Sequence, residues 1–95
     1  MVRWTIRARD DLQAIHQYIA KDSPMNAKDV IRAFIENALT LDRTPRAGRV
    51  VPEIGEDDIR EIPIHSWRLI YQVRGAEVNV LTLVHKRRAR ASIER

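Results

Sequence analysis

Three side chains in this sequence form an acid, base and cation set of the kind phosphoryl chemistry uses: Glu61, Arg68 and His85. A carboxylate can accept a proton, an imidazole can return one, and a guanidinium can hold charge that develops on phosphorus. Directly after His85 come Lys86, Arg87 and Arg88, with Arg90 two residues on. This basic tip suits an anionic partner, either nucleic acid or an acidic protein segment. His16 lies at the border of a helical stripe and takes no role. The three histidines are scattered and cysteine is absent, so no ligand set assembles, and neither a metal nor another cofactor is expected.

The elements that must position these groups follow from periodicity. Val2, Trp4 and Ile6 alternate with Arg3 and Thr5, which predicts a short half-buried strand. Leu12, Ile15 and Ile19 recur at helical spacing over residues 9–21, with Asp10 and Asp11 placed in the first turn, where the helix dipole favours anions. Ser23 then caps a second helix that Pro24 opens at no hydrogen-bond cost, completing a helical hairpin. Ala27, Val30, Ile31, Phe34, Ala38 and Leu41 form its apolar stripe. Residues 42–58 read as one long loop, in which Arg43, Arg46 and Arg49 partly neutralise Glu53, Glu56, Asp57 and Asp58.

Three strands close the chain, over 59–64, 67–73 and 78–84, with turns at His65-Ser66 and Gly75-Ala76. The last is almost wholly apolar and should be buried on both faces. With two-residue loops, Tyr71 falls opposite Val80 and Arg60, Leu69 opposite Thr82 and Ile62, and Trp67 opposite Val84 and Ile64. That face should receive the helices. The other face then holds Glu61, Pro63, Arg68, Ile70, Leu81, Leu83 and His85, which brings the acid, base and cation together. Arg68 and Glu61 also read as a structural ion pair, worth about 1 kcal/mol or less if exposed. The expected fold is α+β: an N-terminal strand, an antiparallel two-helix hairpin, and a three-stranded antiparallel meander with both helices on one face.

Length and charge limit the remaining choices. Residues 1–95 make a single domain that buries roughly two thirds of its unfolded surface. Lys and Arg number 17 against 13 Asp and Glu, a net charge of +4, with the bases gathered at the end. No stretch approaches the roughly 20 apolar residues of a membrane span, and the start does not read as a signal segment. A cytoplasmic protein is expected.

In order, Ala8-Arg9-Asp10-Asp11-Leu12, Tyr18-Ile19, Arg60-Glu61-Ile62-Pro63, Trp67-Arg68-Leu69-Ile70-Tyr71 and Val84-His85-Lys86-Arg87-Arg88 resemble the RelE/ParE toxins of bacterial type II toxin–antitoxin systems. The resemblance covers nearly the whole chain and implies a cognate antitoxin, which would cover apolar residues such as Ile15, Ile19, Phe34, Ile70, Leu81 and Leu83. Two activities share that scaffold. RelE-like members cut messenger RNA on the ribosome; here Glu61, Arg68, His85 and Arg88 would carry the chemistry. ParE-like members poison DNA gyrase, for which Arg68, His85, Lys86, Arg87, Arg88 and Arg90 would form the target-binding surface. The tyrosine or further histidine common past the last strand of RelE-like nucleases is missing from 86–95, and the Val-His-x-x-Arg ending looks more like ParE. The resemblance therefore implies a gyrase inhibitor, with the ribosome-dependent nuclease as the alternative. Operator DNA would be reached only through the antitoxin.

Overall fold

Residues 1–88 are described in this computed structural model, in the order β1 (Val2–Trp4), α1 (Ile6–Ala20), α2 (Pro24–Thr40), β2 (Arg49–Val50), β3 (Ile59–Ile64), β4 (Trp67–Arg74), β5 (Glu77–His85) and a 3-10 turn at Lys86–Arg88. Thr5 ends the first strand and starts the first helix. Its backbone is extended, and its hydroxyl accepts the Ala8 N–H at 3.1 Å, which satisfies a donor that the helix start leaves open. The strand expected to reach Ile6 therefore stops at Trp4, and the helix begins before Arg9. Ile6 is 79% exposed, and Asp10 and Asp11 lie beyond the first turn. A cap outweighs a three-residue alternation. Ser23 caps α2 as expected, accepting from Asn26 N–H, and Ala27, Val30, Phe34, Ala38 and Leu41 are buried along its stripe.

The sheet has five strands in the order β1-β5-β4-β3-β2 and is mixed, which corrects the three-stranded antiparallel expectation. The meander of β3, β4 and β5 is present, with β1 added parallel to β5 and β2 antiparallel to β3. A two-residue strand inside residues 42–58 has no period to betray it, and a three-residue strand does not declare its partner. The Gly75-Ala76 turn has φ +58° at Gly75, as its hairpin position requires, and His65 holds the same left-handed region at φ +55° despite its side chain.

Two apolar clusters sandwich the sheet. On the helix side, Phe34, Ile15, Val30 and Leu41 pack with Leu69, Tyr71, Val78, Val80 and Leu83. A smaller cluster of Val51, Ile59, Ile70 and Val84 gathers the β2–β3 loop, with Ile54 and Leu81 at its margin. β5 is thus covered on both faces.

The register of β5 against β4 breaks at one point. Tyr71 faces Val80, as expected, but Ile70 faces Thr82, Leu69 faces Leu83 and Trp67 faces His85. One extra residue, Leu81, forms a β-bulge, so every side chain beyond it changes sides relative to an unbroken ladder. The bulge is held by the start of α1. Thr5 N–H donates to Val80 O at 3.1 Å and its hydroxyl to Leu81 O at 3.0 Å, while Asp11 accepts from the Thr82 hydroxyl at 2.5 Å and from Leu83 N–H at 3.0 Å. β1 ends at Trp4, so helix side chains take over as the hydrogen-bonding edge of β5 where the strand would otherwise be bare.

Candidate functional site

Glu61 and Arg68 meet as predicted, within a buried network. Glu61 is 3% exposed and Arg68 7%. The alternation of β3 and β4 turns both toward the side away from the helices, where the cluster of Ile59, Ile70 and Val84 shields them from water. Arg68 Nε donates to Glu61 Oε1 at 2.6 Å, and its Nη2 also lies against that oxygen. Glu61 Oε2 accepts from Arg49 Nε at 2.5 Å, so each carboxylate oxygen carries an arginine. The terminal nitrogens of Arg68 go to Glu53, Nη1 to Oε2 at 2.8 Å and Nη2 to Oε1 at 2.9 Å. Burying one charge of this set unpaired would cost several kcal/mol, which is why the counter-charges come in number. Hydrogen bonds from Arg68 hold the Glu53 carboxyl down at about 2, and the same bonds raise the Arg68 guanidinium above its ordinary value. Gly48 lets the chain pass close by: a Cβ there would meet Glu61 O and come within 2.7 Å of Tyr71 Oη, the atom that accepts Gly48 N–H at 2.9 Å. Burial in turn raises the Tyr71 phenol.

His85 is not part of this set, which corrects the expectation that it shares a face with Arg68. The bulge carries it to the helix side, where its ring meets Trp67 edge-on, with centroids 5.1 Å apart and planes at 81°. Its Nδ1 accepts Arg87 N–H at 3.2 Å, so the neutral ring carries its proton on Nε2. His85 lines a groove of about 720 Å³ with Arg7, Asp11, Tyr18, His65 and Trp67. The basic tip divides between the two clefts: Lys86 lines the one around Arg68, and Arg87 lines the groove of His85. Expectations for the Arg88 side chain and for Arg90 lie outside the described residues.

The apolar residues expected to meet an antitoxin are mostly spent on the fold. Phe34, Ile15 and Leu83 are core because the helix stripe and one face of the sheet close on each other, and Ile70, 1% exposed, is buried on the other face with Val51, Ile59 and Val84. Only Ile19 and Leu81 remain half-buried. The exposed large apolar side chains include Ile6, Tyr18, Met25, Ile35 and Leu39.

Glu53, Arg49 and Asp11 are the site residues that the sequence reading missed in these roles. The unfilled half of the Arg68 fork was the signal for Glu53, since Glu61 alone cannot accept all five guanidinium N–H groups. Asp11 gave none, because a helix acid reads the same whether or not a strand lies within reach.

Comparison with known proteins is consistent with this architecture. A chain titled as part of the chromosomal ParDE toxin–antitoxin system of P. aeruginosa superposes with a TM-score of 0.71 at 22% identity, covering 88% of this chain and 92% of that one. A chain of the toxin–antitoxin complex RelBE2 from Mycobacterium tuberculosis gives 0.64 at 26% identity, covering 90% and 96%. A chain of the YoeB-YefM toxin–antitoxin complex from Staphylococcus aureus gives 0.58 at 14% identity, covering 90% and 94%. None of the curated proteins compared with the sequence matches it. The family described as "ParE toxin of type II toxin-antitoxin system, parDE" matches residues 2–90, nearly the full chain, and the protein belongs to that family.

Proposed function

We propose that this toxin acts by inhibiting DNA gyrase and is silenced by a cognate antitoxin. The observation that carries the reading is the separation of Arg68 from His85. Every nitrogen of Arg68 is bonded to a carboxylate, and His85 faces the opposite side of the sheet against Trp67. A ribonuclease needs its acid, its base and its phosphate-holding cation within reach of one phosphorus atom, and that arrangement of Glu61, Arg68 and His85 is not assembled here. A gyrase inhibitor needs only a binding surface, for which His85, Lys86 and Arg87 at the end of β5 are suited, with Arg88 and Arg90 following in sequence. Arg68, bonded to Glu61 and Glu53, lines the same cleft as Lys86 of that surface.

The relatives solved as toxin–antitoxin complexes support an antitoxin partner. Ile35 and Leu39, one turn apart on α2, and Tyr18 and Met25 near the hairpin bend offer it exposed apolar area, together with the free margins of Ile19 and Leu81. Operator DNA would be engaged through that antitoxin. No helix among the described residues is long and apolar enough to cross a membrane, and the proposed site of action is the cytoplasm. Expression in growing cells tests the choice of target: arrest with intact messages and induced DNA damage signalling is expected. Codon-linked message cuts that disappear in Arg68→Ala would establish the ribosomal alternative instead.

A further inference from the structure

The two halves of the Glu53–Arg68 pair are anchored unequally. The Arg68 side chain is 9% exposed and tied through Nε to buried Glu61, whereas the Glu53 side chain is 25% exposed on a surface turn between β2 and β3 that Ile54 N–H and Gly55 N–H close by donating to Val51 O. Arg68 grips Glu53 by two parallel bonds of 2.8 and 2.9 Å, which is how a guanidinium recognises a carboxylate presented by a ligand. The surrounding cleft is richer in cations than the pair requires. Arg49 and Lys86 line it too; Arg49 engages Glu61 through Nε, and the Lys86 ammonium has no partner among the described residues. With Glu53 in place, three cations face two carboxylates, and with Glu53 withdrawn they face Glu61 alone.

We propose that the Arg68 fork is a carboxylate-binding site held closed by Glu53, and that an aspartate or glutamate side chain of a protein partner takes the place of Glu53. The ligand class follows from what the site already holds. Exchanging one carboxylate for another leaves the charge balance around buried Glu61 unchanged. A nucleic-acid strand would need a run of free cations, whereas two of the three cations lining the cleft, Arg49 and Arg68, are already bonded to buried Glu61. The closed form protects Arg68 until a segment arrives whose neighbouring side chains repay the release of Glu53, which makes the exchange selective for a shaped partner over free anions. The proposal stands on the cleft alone, and its test reads peptide binding, so it can fail while gyrase inhibition holds, and the reverse.

The test uses the whole chain and three probes: a 12-residue peptide with one glutamate flanked by leucines, the same peptide with glutamine, and a single-stranded DNA 12-mer. Binding is followed through the Arg68 Nε–H resonance. Glu53→Gln should bind the glutamate peptide at least tenfold more tightly than the wild type, and adding Lys86→Ala should reverse part of that gain. In the wild type, saturation with the glutamate peptide should move the Glu53 side-chain carboxyl resonance as Glu53 is released, which gives a reading independent of any variant. Equal affinity of wild type and Glu53→Gln would overturn the proposal. So would a gain shared with the glutamine peptide, or one seen only with DNA.

Discussion

Glu61 is the residue on which the buried network depends, because it meets Arg68 with one oxygen and Arg49 with the other. Glu61→Ala leaves Arg68 buried with Glu53 as its remaining partner and should cost about 3 kcal/mol in urea unfolding. Replacing Glu61 and Arg68 together by apolar residues of similar volume should cost less than Glu61→Ala alone, since no charge is then stranded. Glu53 contributes in a way that pH exposes. Its folded value lies at about 2 against an ordinary 4.5, so the folded state holds the charged form more strongly than the unfolded chain does. The stabilisation is complete above about pH 4.5 and is lost as pH falls through about 2. Because Glu53 is partly exposed, about 1 kcal/mol is a reasonable size after screening. Acid titration of the unfolding free energy should show this component in the wild type and lose it in Glu53→Gln.

At the scale of elements, the bulge at Leu81 decides which side of the sheet the end of β5 presents, and Asp11 holds it. Asp11→Ala removes the acceptor for Leu83 N–H and the Thr82 hydroxyl and should cost about 1 to 3 kcal/mol, while Asp11→Asn keeps an oxygen there and should retain most of that stability. Amide exchange at Leu83 should speed at least tenfold in Asp11→Ala and stay near wild type in Asp11→Asn. Gly48→Ala places a Cβ against Glu61 O and Tyr71 Oη, both in rigid surroundings, and should cost about 1 to 3 kcal/mol of thermal stability. The helical hairpin and the three long strands were legible because their apolar periods run for many residues and their turns carry Ser-Pro or Gly. β2 was not, having two residues and no period. The bulge was not legible either, since nothing in Val80-Leu81-Thr82-Leu83 distinguishes a broken register from an intact one; the helix that stabilises it is 71 residues away in the chain. That single insertion is why His85 was expected beside Arg68 and lies instead beside Trp67.

For the whole molecule, the family was readable from an ordered set of short segments spread over the chain, and it is the level at which sequence and comparison agree most closely. Activity is a finer matter, because a fold does not choose between activities, and in this chain Glu61 and Arg68 lie on one side of the sheet while His85 lies on the other. With Arg68 bonded to Glu53 and Glu61 and His85 on the other side of the sheet, we propose that toxicity comes from binding gyrase and not from cutting RNA. The direct measurement is supercoiling of relaxed plasmid by purified gyrase in the presence of the folded toxin. Supercoiling should fall in proportion to added toxin, and cleaved plasmid still attached to gyrase should accumulate. Undiminished supercoiling at a large molar excess of folded toxin would contradict the account.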